Sequence, residues 1–214
     1  MLRALIFDFD DVLVESAGIK TSAVARLFAA EGPAVVQQIV AYHRAHGGVA
    51  RFEKFRTIYR DLLRRPLDEE TFERLCDQFA DLIVEAIIAA PWVEGAETFL
   101  RAHRGRYRFF VVSGTPEEEL NTIIQRRQMA HYFDDVRGSP TPKEVLLRQV
   151  LARHRLQPPE ALFIGDAQTD WFAAQRVGIP FIWRQGSETP LLSGYAGPCI
   201  RSLTELEACL MAGV

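Results

Sequence analysis

The sequence predicts an α/β protein with an open parallel sheet, into which an all-helical block is inserted after the first strand. Three observations predict it. From residue 91 onward, apolar runs of strand length alternate with helical stretches, the pattern of parallel strands joined by helical crossovers. Residues 15 to 90 read as helix throughout. Three of the apolar runs end in polar, chemically capable residues, as strands do when their carboxyl ends carry a ligand site.

The first strand covers residues 3 to 9, where Ala4-Leu5-Ile6-Phe7 runs into Asp8 and Asp10. Side chains alternate with a period of two along a strand, so both carboxylates point the same way and converge just past its end. The helical block follows. Apolar residues recur at helical spacing around Ala23, Leu27 and Phe28, then Val35 to Val40, Phe52 to Leu63, and Phe72 to Ile83. Gly32-Pro33, Gly47-Gly48 and Pro66 divide them into four helices.

Strands are then predicted at 107 to 112, 133 to 137, 161 to 165 and 179 to 183, with a last one at 198 to 201. Helices are predicted near 95 to 104, 116 to 128, 142 to 155, 169 to 177 and 203 to 212. Two helix starts carry capping-box signatures, Thr115-Pro116-Glu117-Glu118 and Ser202-Leu203-Thr204-Glu205. This order implies a core of residues 1–14 and 91–214 and a separate helical domain of residues 15–90, joined near 13 to 16 and 90 to 94. The alternative is one α/β domain with extra helices.

At 214 residues, 48% hydrophobic and 25% charged, the chain is long and apolar enough to bury a substantial core. A net charge of -3 gives no basic field that would recruit nucleic acid. Glu85 interrupts the longest apolar stretch, so no membrane segment is expected. The first strand starts at residue 2 or 3, which leaves no room for a cleavable leader. Three cysteines without paired spacing, Cys76, Cys199 and Cys209, suggest buried thiols in a reducing cytoplasm.

Four short motifs stand in order: Asp8-Phe9-Asp10-Asp11-Val12-Leu13, Ser113-Gly114-Thr115, Lys143, and Gly165-Asp166-Ala167-Gln168-Thr169-Asp170. An acid after a strand is ordinarily a turn or cap residue. That explanation does not account for all of them together. The set resembles the four ordered motifs of the haloacid dehalogenase superfamily, and is most similar to its phosphoglycolate-phosphatase-like branch of phosphohydrolases. The resemblance spans most of the chain and implies a Rossmann-like core with an inserted helical cap that closes over the active site. Asp11 departs from the pattern, standing where that branch commonly has glycine. Aspartate tolerates a left-handed turn better than most residues, so a structural role is expected for it.

Attack by Asp8 on a phosphate dianion would bring about one and two negative charges to roughly 4 Å, a repulsion of about 8 kcal/mol at an effective dielectric near 20. That is about six decades of rate, so cations must be present. Asp8, Asp166 and Asp170, with the backbone carbonyl of Asp10, offer the hard oxygen ligands that Mg²⁺ prefers. Lys143 supplies a second positive charge, and Ser113 with the amides around Gly114 and Thr115 is suited to cradle phosphoryl oxygens. The resemblance assigns Asp8 as nucleophile and Asp10 as general acid, then base. It also implies phosphate chemistry, because the family's dehalogenases lack the second aspartate.

Specificity is expected to come from the helical insert. Its segment from Tyr42 to Arg65 is strongly basic, and a turn at His46-Gly47-Gly48 that dips toward the site would let His46, Arg51 and Lys54 meet a second anionic group on the substrate. A solvated helical face is the plainer account of such charge. The function expected is Mg²⁺-dependent hydrolysis of small phosphomonoesters by a cytoplasmic monomer or homodimer, with no nucleic-acid or membrane partner. A phosphomutase with the same catalytic residues, and a non-catalytic binding protein on this fold, are the alternatives.

Overall fold

A computed structural model describes residues 1–186 and 190–213. Its centre is β1 (Ala4–Phe7), whose four residues are all fully buried. A strand buried on both faces is apolar throughout rather than alternating, which is why Ala4-Leu5-Ile6-Phe7 reads as a continuous run. The other strands are β2 (Arg108–Pro116), β3 (Asp135–Ser139), β4 (Ala161–Gly165), β5 (Phe181–Arg184) and β6 (Cys199–Ile200). They form one parallel sheet in the order β3-β2-β1-β4-β5-β6. After β1 the chain builds outward to β3, then returns to the other side of β1 and builds outward to β6. The reversal lies between β1 and β4, where an open sheet leaves a crevice at its carboxyl edge.

Helices α1 (Ala17–Leu27), α2 (Pro33–Ala45), α3 (Arg51–Thr57) and α4 (Glu69–Ala89) make up the insert. α3 continues through one π-helical stretch, Ile58–Leu63, and stops where Arg64 turns left-handed. The insert is thus four helices, as the periodicity predicts. After it come α5 (Ala96–His103), α6 (Glu117–Arg126), α7 (Lys143–His154), α8 (Gln168–Val177) and α9 (Leu206–Ala212).

The pleat of β1 divides the core. Leu5 and Phe7 pack with α5, α6, α9 and the apolar faces of the insert, whereas Ala4 and Ile6 pack with α7 and α8. Each buried Leu, Ile or Phe contributes about 1.5–3 kcal/mol. The two connections to the insert lie side by side: Val93 N donates to Leu13 O at 3.0 Å and Glu15 N to Pro91 O at 3.1 Å. Arg127, just after α6, donates to the carbonyls of Ile87, Ile88 and Ala90, each at 2.7 Å, and so satisfies the end of α4.

Two local expectations need correction, and a third is met. Thr115 does not cap α6; Pro116 takes that position and the Thr115 hydroxyl turns to Asp10 instead. The second capping box forms, with Ser202 Oγ accepting from Thr204 N and Glu205 Oε1 from Ser202 N. The cysteines are free, but Cys199 is exposed and the other two are half-buried. Cys199 lies on a two-residue edge strand, which leaves one of its sides to solvent.

Candidate active site

The carboxyl edge of the sheet gathers all four motifs. Asp8 follows β1, Asp166 follows β4, and Lys143 opens α7 beyond β3. Ser113, Gly114 and Thr115 lie where β2 breaks register against β3, between the Val112–Arg137 and Pro116–Ser139 pairs. Such an irregularity lifts residues out of the ladder and aims them at a site.

Lys143 is the hub. Its Nζ donates to Asp8 Oδ2 at 2.8 Å and to Asp170 Oδ1 at 2.5 Å, all three side chains being buried. Asp8 Oδ1 accepts from Phe9 N at 2.7 Å, and Asp170 Oδ2 from Ala167 N at 3.0 Å, so both carboxylates are fixed in orientation. Gly165 permits this arrangement, because a Cβ there would stand 2.5 Å from that of Asp170.

Asp8, Asp166 and Asp170 each present an oxygen, and the three oxygens lie within 4.8 Å of one another. Burial, reinforced by the neighbouring acids, raises the Asp8 carboxyl to about 7 against the pull of Lys143. The same causes raise Asp166 well above the ordinary carboxylate range. Burial opposes the charge on Lys143, but Asp170 and Asp8 outweigh it and hold the ammonium firmly protonated. One lysine therefore faces three clustered acids. A hard, all-oxygen, under-neutralised set of this kind fits a small divalent cation.

Asp10 is held apart from that trio. Its Oδ2 accepts from Lys20 Nζ at 2.5 Å and Thr115 Oγ1 at 2.8 Å, and its Oδ1 from Ser16 Oγ at 2.6 Å. Burial works against its ionisation, but Lys20 and the two hydroxyls prevail and keep the carboxyl below its ordinary range. Two carboxylates on one strand end are thus driven in opposite directions by their surroundings. Asp11 has a left-handed φ of 53°, and its Oδ1 accepts from Ser16 N and Ala17 N, both at 2.8 Å, which anchors the start of α1.

A cavity of about 110 Å³ lies between these strand ends and the insert. Asp8, Asp10, Asp166, Gly114 and Thr115 line one side; Gly47, Gly48, Arg51 and Lys54 are among the residues on the other. The turn after α2 does dip inward. Thr169 Oγ1 donates to Gly47 O at 3.2 Å, and a Cβ on Gly114 would come within 2.6 Å of Gly48 O. The two glycine backbones meet because neither carries a side chain.

The basic residues of the insert have separate fates. His46 is exposed, lies tilted against the Tyr42 ring, places Nδ1 2.8 Å from Tyr42 O, and is not among the cavity-lining residues. Arg51 is buried, forms an ion pair with Glu119 of α6, and lies over the Phe79 ring at 4.7 Å. Lys54 is 7% exposed and donates to His43 O at 3.3 Å, with His43 Nδ1 3.4 Å away. Burial and then the charge of Lys54 press His43 down to about 3, so its ring is neutral. Ser113 is buried, and its Oγ accepts from Thr115 N at 3.2 Å.

Sequence reasoning brought together Asp8, Lys143, Gly114, Asp166 and Asp170 but missed the clamp on Asp10. Lys20 and Ser16 stand four residues apart at the start of a helix six residues past Asp10. That spacing was the available signal.

The family model for haloacid dehalogenase-like hydrolases matches residues 5–184. The phosphoglycolate phosphatase of Photorhabdus laumondii is 28% identical over 189 residues, covering 85% of this chain and 79% of that protein. The phosphoglycolate phosphatase of Aliivibrio fischeri is 26% identical over 186 residues, covering 83% and 81%. Among solved structures, a predicted phosphatase from Clostridium acetobutylicum superposes with a TM-score of 0.78 at 20% identity, covering 99% of each chain. No helix among the described residues is long and apolar enough to cross a membrane.

Proposed function

We propose that this chain, which belongs to the haloacid dehalogenase-like hydrolase family, is a cytoplasmic Mg²⁺-dependent phosphatase of small phosphorylated metabolites, sugar phosphates or phosphorylated acids. The observation that carries the reading is the separation of two aspartates on one strand end: Asp8 inside the Lys143-centred acid cluster, Asp10 in its own clamp. The names of the relatives support a phosphorylated acid among the substrates. Three free cysteines agree with a reducing compartment.

In this reading a carboxylate oxygen of Asp8 forms a bond to phosphorus while the bond to the ester oxygen breaks, leaving an aspartyl-phosphate. Asp10 gives its proton to the departing oxygen. Its ordinary state is ionised, but an arriving phosphate dianion raises its affinity for a proton. Asp10 then accepts the proton of the water that attacks phosphorus and frees Asp8. Lys143 stands against the phosphoryl charge, and Ser113, Gly114 and Thr115 cradle its oxygens. Asp8, Asp166 and Asp170, with the Asp10 carbonyl, would hold the Mg²⁺, which when bound supplies positive charge where nucleophile and phosphate repel.

Residues 15–90 act as a cap over a core of residues 1–14 and 91–214. The meeting of Gly48 with Gly114 supports a shielded site, which favours one attacking water over bulk solvent. The test is a screen of phosphorylated acids, sugars and nucleotides with Mg²⁺, read as inorganic phosphate. Release from small phosphomonoesters is expected. Isomer formation without phosphate release would mark a mutase, and inertness toward every ester, p-nitrophenyl phosphate included, would mark a binding protein.

A further inference from the structure

The cations around the cavity are unequal in one respect. Lys143 is matched by Asp8 and Asp170, Lys20 by Asp10, and Arg51 by Glu119. Among the described residues Lys54 has no carboxylate in contact: the groups it touches are the carbonyl and the ring nitrogen of His43, both neutral. It is as buried as the others, on a cavity wall that also holds the apolar Val24, Phe55 and Phe79. Burying an ammonium without a counter-ion is strongly unfavourable. Burial, followed by the charge of Lys20, accordingly pushes Lys54 down to about 7, while Asp166 and Asp10 restore part of the loss from across the cavity.

The sheet side already provides for one phosphoryl group, with Lys143 and the Ser113–Thr115 backbone. Lys54 enters from α3 of the insert, on the wall that would face the rest of the substrate. We propose that the ammonium of Lys54 binds a second anionic group of the substrate, a carboxylate or a further phosphate, and thereby sets which phosphomonoesters the enzyme takes. This rests on the phosphatase reading above. It also narrows the contact expected from His46, Arg51 and Lys54 to Lys54 alone, since His46 lies outside the cavity lining and Arg51 already has its carboxylate. An arriving anion completes the ion pair that the fold leaves open, and a neutral analogue leaves it open. The discrimination therefore comes as much from rejecting the neutral ester as from holding the charged one.

The test compares kcat/KM for 2-phosphoglycolate, ethylene glycol bisphosphate and the neutral 2-hydroxyethyl phosphate in wild type, Lys54→Met and Lys54→Gln. Wild type is expected to favour at least one doubly anionic ester over the neutral one by about 10- to 100-fold, the range of a charge-assisted contact in a cavity. Which of the two it favours identifies the anion as carboxylate or phosphate. Both variants are expected to lose that preference, with a loss on the anionic ester at least about tenfold greater than on the neutral one. Lys54→Met is expected to melt at the same temperature as wild type or higher, because it removes a buried unpaired charge.

Equal losses on all three esters, or a lowered melting temperature with the preference intact, would give Lys54 a structural or phosphoryl-binding role and overturn the proposal. Retained preference in Lys54→Gln would show that the contact with His43, not the charge, matters, and would overturn it equally. Wild-type hydrolysis of all three esters at matched rates overturns the inference alone. Failure on these and on p-nitrophenyl phosphate, with Mg²⁺ present, overturns the phosphatase reading with it.

Discussion

Glu119→Gln is the sharpest probe of how the insert is held against the sheet. Arg51 on α3 and Glu119 on α6 form an ion pair whose side chains are only 7% and 11% exposed. Removing one partner of a buried pair leaves the other charge uncompensated and costs about 3–5 kcal/mol. Some support for Arg51 survives here: Cys76 O remains 3.5 Å from its guanidinium, the Phe79 face 4.7 Å, and the new amide oxygen still accepts. The expected loss is therefore at the lower end, about 2–3 kcal/mol. With a urea m-value of about 3 kcal/mol/M for a chain of this size, the unfolding midpoint falls by roughly 0.7–1 M. Circular dichroism across a urea series measures it. Arg51→Met, Glu119→Leu and the double variant Arg51→Met/Glu119→Leu complete a cycle in which the double variant recovers most of the loss. A midpoint shift below about 0.2 M with no coupling in the cycle would mean the pair is worth no more than a surface bridge. The anchoring of α3 on α6 would then rest on apolar contacts alone.

Asp8→Asn is expected to abolish phosphate release while melting no lower than wild type, because it removes one charge from a repelling trio; an unfolded protein, or wild-type turnover, would show Asp8 to be structural or the nucleophile to lie elsewhere. Exhaustive chelation should stop turnover, and Mg²⁺ at about 100 times its Kd should restore it and raise stability by about 2.7 kcal/mol; turnover that survives chelation sinks the metal assignment. Asp11→Ala should be less stable than Asp11→Gly by about 1 kcal/mol in chemical denaturation, since both lose the two amide contacts but only alanine meets the steric penalty at a φ of 53°. Equal stabilities would show that the turn relaxes when its side chain is removed.

The cluster at the carboxyl edge of the sheet was legible in the sequence because it is written locally. Asp8, Asp166 and Lys143 sit at the ends or starts of elements whose periodicity is plain, and sheet geometry then brings those ends together. The left-handed turn at Asp11 could be read from one residue's tolerance. Partnerships across long separations could not. Thr115 carries a capping-box signature, yet its hydroxyl is claimed by Asp10, 105 residues away. Arg51 reads as a free cation on a basic helix until α6 supplies Glu119, 68 residues later. A charge shows in a sequence, but its counter-charge is decided by packing, so the insert's basic residues looked alike where the fold makes them different.

The central position of β1 shapes how the protein comes to exist during synthesis. Ala4 pairs with Arg108 on one side and Ala161 on the other, so this strand emerges long before either neighbour. At about 5–20 residues per second, the strand waits roughly 5 to 30 s for its partners. The insert helices, built from nearby contacts, can form in that interval, whereas the sheet must await its distant strands. An unpaired apolar segment is exposed meanwhile, and shielding by a chaperone would matter most then. Asp8 and Lys143 lie 135 residues apart, so their buried contact forms only once α7 has been made. A nascent chain ending before that point carries Asp8 without its cationic partner.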